Sequence, residues 1–112
     1  FSTVSDNGYA SLNGTSMATP GAMGSLVLLQ ELHRDLHNGQ FMRSATLKAL
    51  AIHTAKEAGL HPGPDYSFGW GLIDVEAGAK VLQSQDDVNV FVKEISLADG
   101  QVFELELFPQ EN

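Results

Sequence analysis

The run Asn13-Gly14-Thr15-Ser16-Met17-Ala18-Thr19-Pro20-Gly21-Ala22 sets a serine hydroxyl between a glycine turn and a long apolar stretch. That arrangement suits a nucleophile. At a helix N-terminus the unpaired backbone N–H groups and the positive end of the macrodipole stabilise negative charge developing on or near the serine oxygen. Gly14 allows a sharp turn without a Cβ. Pro20 is expected in the first helical turn, where a missing N–H costs little. The competing role for Ser16 is that of a plain N-cap, a common use of a serine before a helix.

Other residues with chemical potential are weaker candidates. His33 and His37 stand four apart, a spacing at which two imidazoles on one helix face can share a metal, but a zinc peptidase motif of that type needs glutamate where Arg34 stands. They are expected to be solvated residues at a helix end, where a cationic ring suits the dipole. No metal ligand set is identified. Asn13-Gly14-Thr15 fits a glycosylation sequon, although a turn flanking a nucleophile is a poor place for a glycan.

Gly14-Thr15-Ser16-Met17-Ala18-Thr19-Pro20 resembles the segment around the nucleophilic serine of subtilisin-like serine peptidases. The likeness continues in Leu47-Lys48-Ala49-Leu50-Ala51-Ile52-His53-Thr54-Ala55, similar to the family's next helix. Phe68-Gly69-Trp70-Gly71-Leu72-Ile73-Asp74 is similar to the glycine turn before its last catalytic-domain helix, so the resemblance spans residues 1 to 84. It implies an α/β fold, with this chain as the C-terminal portion of a three-layer α/β/α domain. It also implies that Ser16 is the acylating nucleophile and that its own backbone N–H donates to the oxyanion hole, with Asn13, Gly14, Thr15, Met17, Ala18, Thr19 and Pro20 as supporting motif.

The family places its aspartate, its histidine and its oxyanion asparagine before the serine in chain order. The fifteen residues preceding Ser16 hold Asp6, Asn7 and Asn13 but no histidine. The chain is therefore expected to be part of a serine endopeptidase whose base lies upstream, and to be inactive alone. His53 follows the serine and would break that order, so it is expected to be structural. Asn13 stands where the family commonly has serine, and Gly21-Ala22-Met23 where it has bulkier residues; these departures bear on the substrate cleft rather than on reaction type. Alternatives are a pseudopeptidase or a non-enzymatic assembly module. The resemblance implies a polypeptide substrate and an extracellular or cell-envelope location. It implies no organic cofactor; calcium is frequent in the family, but its ligands are not identifiable in this sequence.

The elements that must position Ser16 follow from periodicity. A helix is expected from Ser16 to His37, closed by Asn38-Gly39, a second from an N-cap at Ser44 to Ala58, and a third capped by Asp74 and running to Gln83. In the first, Met17, Ala18, Ala22, Met23, Leu26, Val27, Leu28, Leu29 and Leu32 occupy nearly every face, the mark of a helix buried all round. Gly21, Gly24 and Ser25 would let neighbouring backbones approach closely. The cover such a helix needs, a parallel sheet, is expected from a missing N-terminal part of the domain or from another copy of the chain.

After residue 84 the pattern changes. Residues 85–112 read as a linker and the start of a C-terminal β-rich, sandwich-like domain, since Val88, Val90 and Val92, then Phe103, Leu105 and Leu107, alternate around an Asp99-Gly100 turn. Residues 1–13 read as loop or short strand, with Asp6-Asn7-Gly8 a turn.

Composition narrows the partners. The 112 residues are 43% hydrophobic, enough for one domain that buries about two-thirds of its unfolded surface if self-contained. A net charge of −8, with six scattered Lys and Arg, argues against nucleic acid, which needs clustered cations. The apolar run Ser25–Leu32 is too short to span a bilayer, so no membrane partner is expected. Without cysteine there is neither a disulfide framework nor a thiolate metal site.

Overall fold

The chain opens with a hairpin whose turn dictates its form. In the computed structural model, which describes residues 1–84 and 92–106, β1 (Ser2–Val4) pairs antiparallel with β2 (Gly8–Ala10), Val4 opposite Gly8. Asp6 and Asn7 both take positive φ, 65° and 57°, the type I′ geometry that matches strand twist and that short polar side chains tolerate.

After the connection at 11–14, α1 (Thr15–Leu36) begins, one residue earlier than expected. Its C-terminus follows the sequence: Asn38 and Gly39 are left-handed, and the Gly39 N–H closes onto the Arg34 carbonyl at 2.8 Å. Pro20 does not fall in the first turn. With Gly14 as N-cap it is the sixth residue of α1, so it has no N–H to offer the Ser16 carbonyl four residues back.

The second helix, α2 (Ser44–His53), has Arg43 rather than Ser44 as N-cap and stops five residues short of Ala58. A different partner takes over the backbone there. Lys56 exchanges two hydrogen bonds with Leu72, N to O at 2.8 Å and O from N at 2.9 Å, and a β-type bridge cannot continue a helix. Gly71 makes the bridge possible: at φ 100°, a Cβ there would sit 2.1 Å from the Lys56 carbonyl oxygen. The third helix, α3 (Val75–Gln83), is capped as the sequence indicates, Asp74 accepting from the Ala77 N–H at 2.9 Å. Asp74 also pairs with Lys56 at 2.8 Å; this ammonium first, and the Ala77 N–H second, hold its carboxyl below the ordinary range.

The three helices meet around Leu29, Met42, Leu50 and Leu82. Gly78 of α3 admits Leu29, whose Cδ1 lies 3.1 Å from where a Cβ would stand. Gln30 fixes the α1–α2 connection by both ends of its amide, donating to the Met42 carbonyl and accepting the Met42 N–H, each at 2.9 Å.

Burial falls short of a self-contained domain. The accessible surface is 9241 Å², against about 6,000 Å² for a folded monomer of this mass and about 17,400 Å² unfolded, so a little under half is buried rather than two-thirds. The shortfall shows on α1, which is not buried all round. Leu29 is its one fully buried residue, whereas Met23, Val27 and Leu28 are 55%, 58% and 59% exposed. They share with Pro20 and Gly24 the face opposite Leu29, and nothing lies within 4 Å of a Cβ built at Gly21 or Gly24. Two short helices cover only one side of α1, and no sheet among the described residues reaches the other. The described chain is thus mostly helical, with one two-stranded hairpin.

Residues 92–106 contain the expected Asp99-Gly100 turn, with Gly100 at φ 79° and the Gln101 N–H bonded to the Ala98 carbonyl at 3.0 Å. They form no strand, in keeping with the marginal stability of an isolated hairpin. Val88, Val90 and Leu107 lie outside the described residues.

Candidate functional site

The Ser16 turn is built by its glycine. Gly14 adopts φ 140°, ψ 175°, which turns the chain from the β2 exit into α1, and its carbonyl accepts both the Met17 N–H at 3.0 Å and the Ala18 N–H at 3.1 Å. Two donors on one oxygen tighten the first turn. Thr19 adds a side-chain tie, its hydroxyl donating to the Thr15 carbonyl at 2.7 Å. A threonine four residues into a helix commonly bonds back this way, so the tie has a signal in the sequence.

Ser16 is the second residue of α1 and is exposed. It is not the N-cap, since Gly14 holds that position without any side-chain cap bond. Among the described residues its Oγ has no hydrogen-bond partner, and neither its N–H nor that of Thr15 has an acceptor. A hydroxyl and two N–H groups thus face outward together at the positive end of a 22-residue helix. Asn13, Ala18, Thr19 and Pro20 are exposed around it, and Met17 is half-buried.

The imidazoles are elsewhere. His33 lies on the same helix seventeen residues on, about 25 Å from Ser16 at the α-helical rise. It stacks on His37, ring centroids 4.0 Å apart and planes within 10°; His33 Nδ1 pairs with the Gln40 carbonyl at 3.0 Å and His37 Nδ1 with the His33 carbonyl at 2.9 Å. The two rings are half-buried and engaged with backbone rather than simply solvated. His53 ends α2 and is exposed, at the opposite end of that helix from its N-cap Arg43. No cluster of three or more His, Cys, Asp or Glu suited to a metal exists among the described residues, and no helix there is long and apolar enough to cross a membrane.

Known proteins share this arrangement of sequence. The subtilase family profile matches residues 1–71. The alkaline elastase YaB of Bacillus sp. (strain YaB) is 35% identical over 79 residues, 70% of this chain and 18% of its own. Subtilisin DY of Bacillus licheniformis is 34% identical over 80 residues, 71% of this chain and 26% of its own. The subtilisin-like protease SBT3.9 of Arabidopsis thaliana is 32% identical over 85 residues, 70% of this chain and 11% of its own. The chain therefore spans about a quarter or less of the length of these relatives. No solved structure matches it significantly. Because the profile takes in the glycine-built serine turn and well over half of the residues, this chain belongs to the subtilase family of serine peptidases.

Proposed function

We propose that this chain is the nucleophile-bearing part of a serine endopeptidase, residues 1–84 being the C-terminal portion of a three-layer α/β/α catalytic domain and residues 85–112 leading into a β-rich one. The observation that carries the reading is Ser16, exposed on the first turn of α1 with both its Oγ and its N–H unbonded among the described residues. In the reaction Ser16 Oγ attacks the scissile carbonyl carbon of a polypeptide while its proton passes to a histidine supplied upstream of Phe1, itself oriented by an upstream aspartate. The Ser16 N–H donates to the oxyanion, alongside an upstream asparagine. The histidine then protonates the departing amine as the C–N bond breaks, and water releases the acyl group. These steps call for no organic cofactor.

The open face of α1, Pro20, Met23, Gly24, Val27 and Leu28, supports a need for cover by the rest of the catalytic domain or by another copy of the chain. The 112 residues alone should not hydrolyse peptides, because no described imidazole bonds Ser16. By family, the site of action is extracellular or at the cell envelope. The test is mass-spectrometric mapping of a fluorophosphonate probe on the full-length protein. An adduct on Ser16 that vanishes in Ser16→Ala establishes the nucleophile; none on folded, propeptide-free protein would make this a pseudopeptidase.

A further inference from the structure

Helix α2 begins without a cap of its own: Arg43 is the N-cap residue and makes no side-chain cap bond. The missing acceptor arrives from 51 residues away. Glu94 Oε1 takes the Arg43 N–H at 2.7 Å and the Thr46 hydroxyl, while Oε2 pairs with Arg43 Nε at 3.2 Å. Arg43 Nη2 reaches on to the Ser96 hydroxyl at 3.1 Å. Among the described residues, the polar ties from 92–106 to the helices all come from Glu94 and Ser96. Beneath them lies a cavity of about 710 Å³, walled by Ala49, Leu50 and Val81 on the helices and by Val92 and Ile95 on the segment.

From this geometry we infer that residues 92–96 are an acid-released strap, in which the Glu94 carboxylate both caps α2 and holds the segment over the apolar cavity. One anion serves three donors, so its protonation weakens all three at once: a charge-assisted bond is roughly twice as strong as its neutral counterpart. The surroundings favour the charged form. Thr46 first, then the Arg43 N–H, with the Arg43 guanidinium and His33 on α1 adding positive charge, hold the Glu94 carboxyl below the ordinary range. Lys93 on the strap and His53 on the cavity wall are the other titratable groups at the site, and neither is acidic. A carboxyl with a lowered folded value stabilises the closed strap above its ordinary value, and this contribution is lost as pH falls through the lowered one. Release uncovers Leu50 and Val81 and cuts the polar link between residues beyond 96 and the helices. The inference is independent of the chemistry assigned to Ser16.

Amide hydrogen exchange on the intact protein, corrected for intrinsic rates, tests this at about pH 7 and about pH 3, values that straddle an ordinary glutamate. Protection of the Arg43 N–H, relative to the amides of α3, should fall roughly tenfold on acidification, the order of one bond to a charged group. In Glu94→Gln it should already be low at neutral pH and change little with acid. Undiminished protection in Glu94→Gln, or a wild-type ratio that ignores pH, would overturn the strap. Should Glu94→Gln also lose α3 protection, Thr46→Val decides: removing one donor should raise the pH midpoint of release, and an unmoved midpoint rejects the idea.

Discussion

Replacing Gly71 by alanine should separate two costs that usually travel together. At φ 100° any Cβ carries left-handed strain of about 1–2 kcal/mol. At this position the new carbon would also stand 2.1 Å from the Lys56 carbonyl oxygen, which no rotamer change can relieve because both atoms are fixed to the backbone. The strand-like bridge must open, losing its bonds of 2.8 and 2.9 Å at about 0.5–1.5 kcal/mol each. Together the loss is about 2–5 kcal/mol. Gly69 is the control, since its φ of 60° is also left-handed but nothing lies within 4 Å of where its Cβ would stand. Gly69→Ala should therefore cost only the strain, about 1–2 kcal/mol. Urea unfolding of the intact protein, with unchanged m-values, measures both. Equal losses for the two variants would refute the argument that the bridge, rather than the dihedral, makes Gly71 necessary.

Three further outcomes are expected. Leu29→Ala, at a site only 1% exposed, should destabilise by about 2–5 kcal/mol in the same urea assay, and a loss under about 1 kcal/mol would mean the core closes around the gap. Asp74 has a folded value lowered from 3.8, so its contribution is complete above that value and fades as pH falls below it; the gap in midpoint between wild type and Asp74→Asn should narrow between about pH 7 and about pH 3, and a constant gap counts against the Lys56 pairing. On the proposed function, oxidation of Met17 to the sulfoxide adds a polar atom next to Ser16, so peroxide should inhibit peptide hydrolysis by the full-length protein; full activity with Met17 oxidised, verified by peptide mapping, would exclude this.

The parts of the fold governed by local chemistry were legible in the sequence. Asp6-Asn7, Asn38-Gly39 and Asp74 each act through their own backbone or a residue a few positions away, and each turn or cap forms where those residue types require. The sharp turn at Gly14 was legible too, since it needs only a residue without a Cβ, but the helix starts a residue earlier than expected and Pro20 falls beyond its first turn. What sequence missed depends on distant partners. Helix α2 is shortened by Leu72, and its N-terminus is served by Glu94 rather than by Ser44. Helical periodicity through Ala58 gave no warning of either. The all-round apolar pattern of α1 stated a demand for cover without saying where that cover lies, and α2 and α3 meet it on one side only.

Pro20 removes one rung from α1. Because no N–H reaches back to the Ser16 carbonyl, that oxygen lacks its usual helical partner, although α1 itself runs unbroken from Thr15 to Leu36. The first turn is tied by the Gly14 carbonyl, which accepts from Met17 and Ala18, and by the Thr19 hydroxyl, which donates to the Thr15 carbonyl. Without a Pro20 N–H, the first turn of α1 is held by one backbone bond fewer than a helix with a donor at every position would give it.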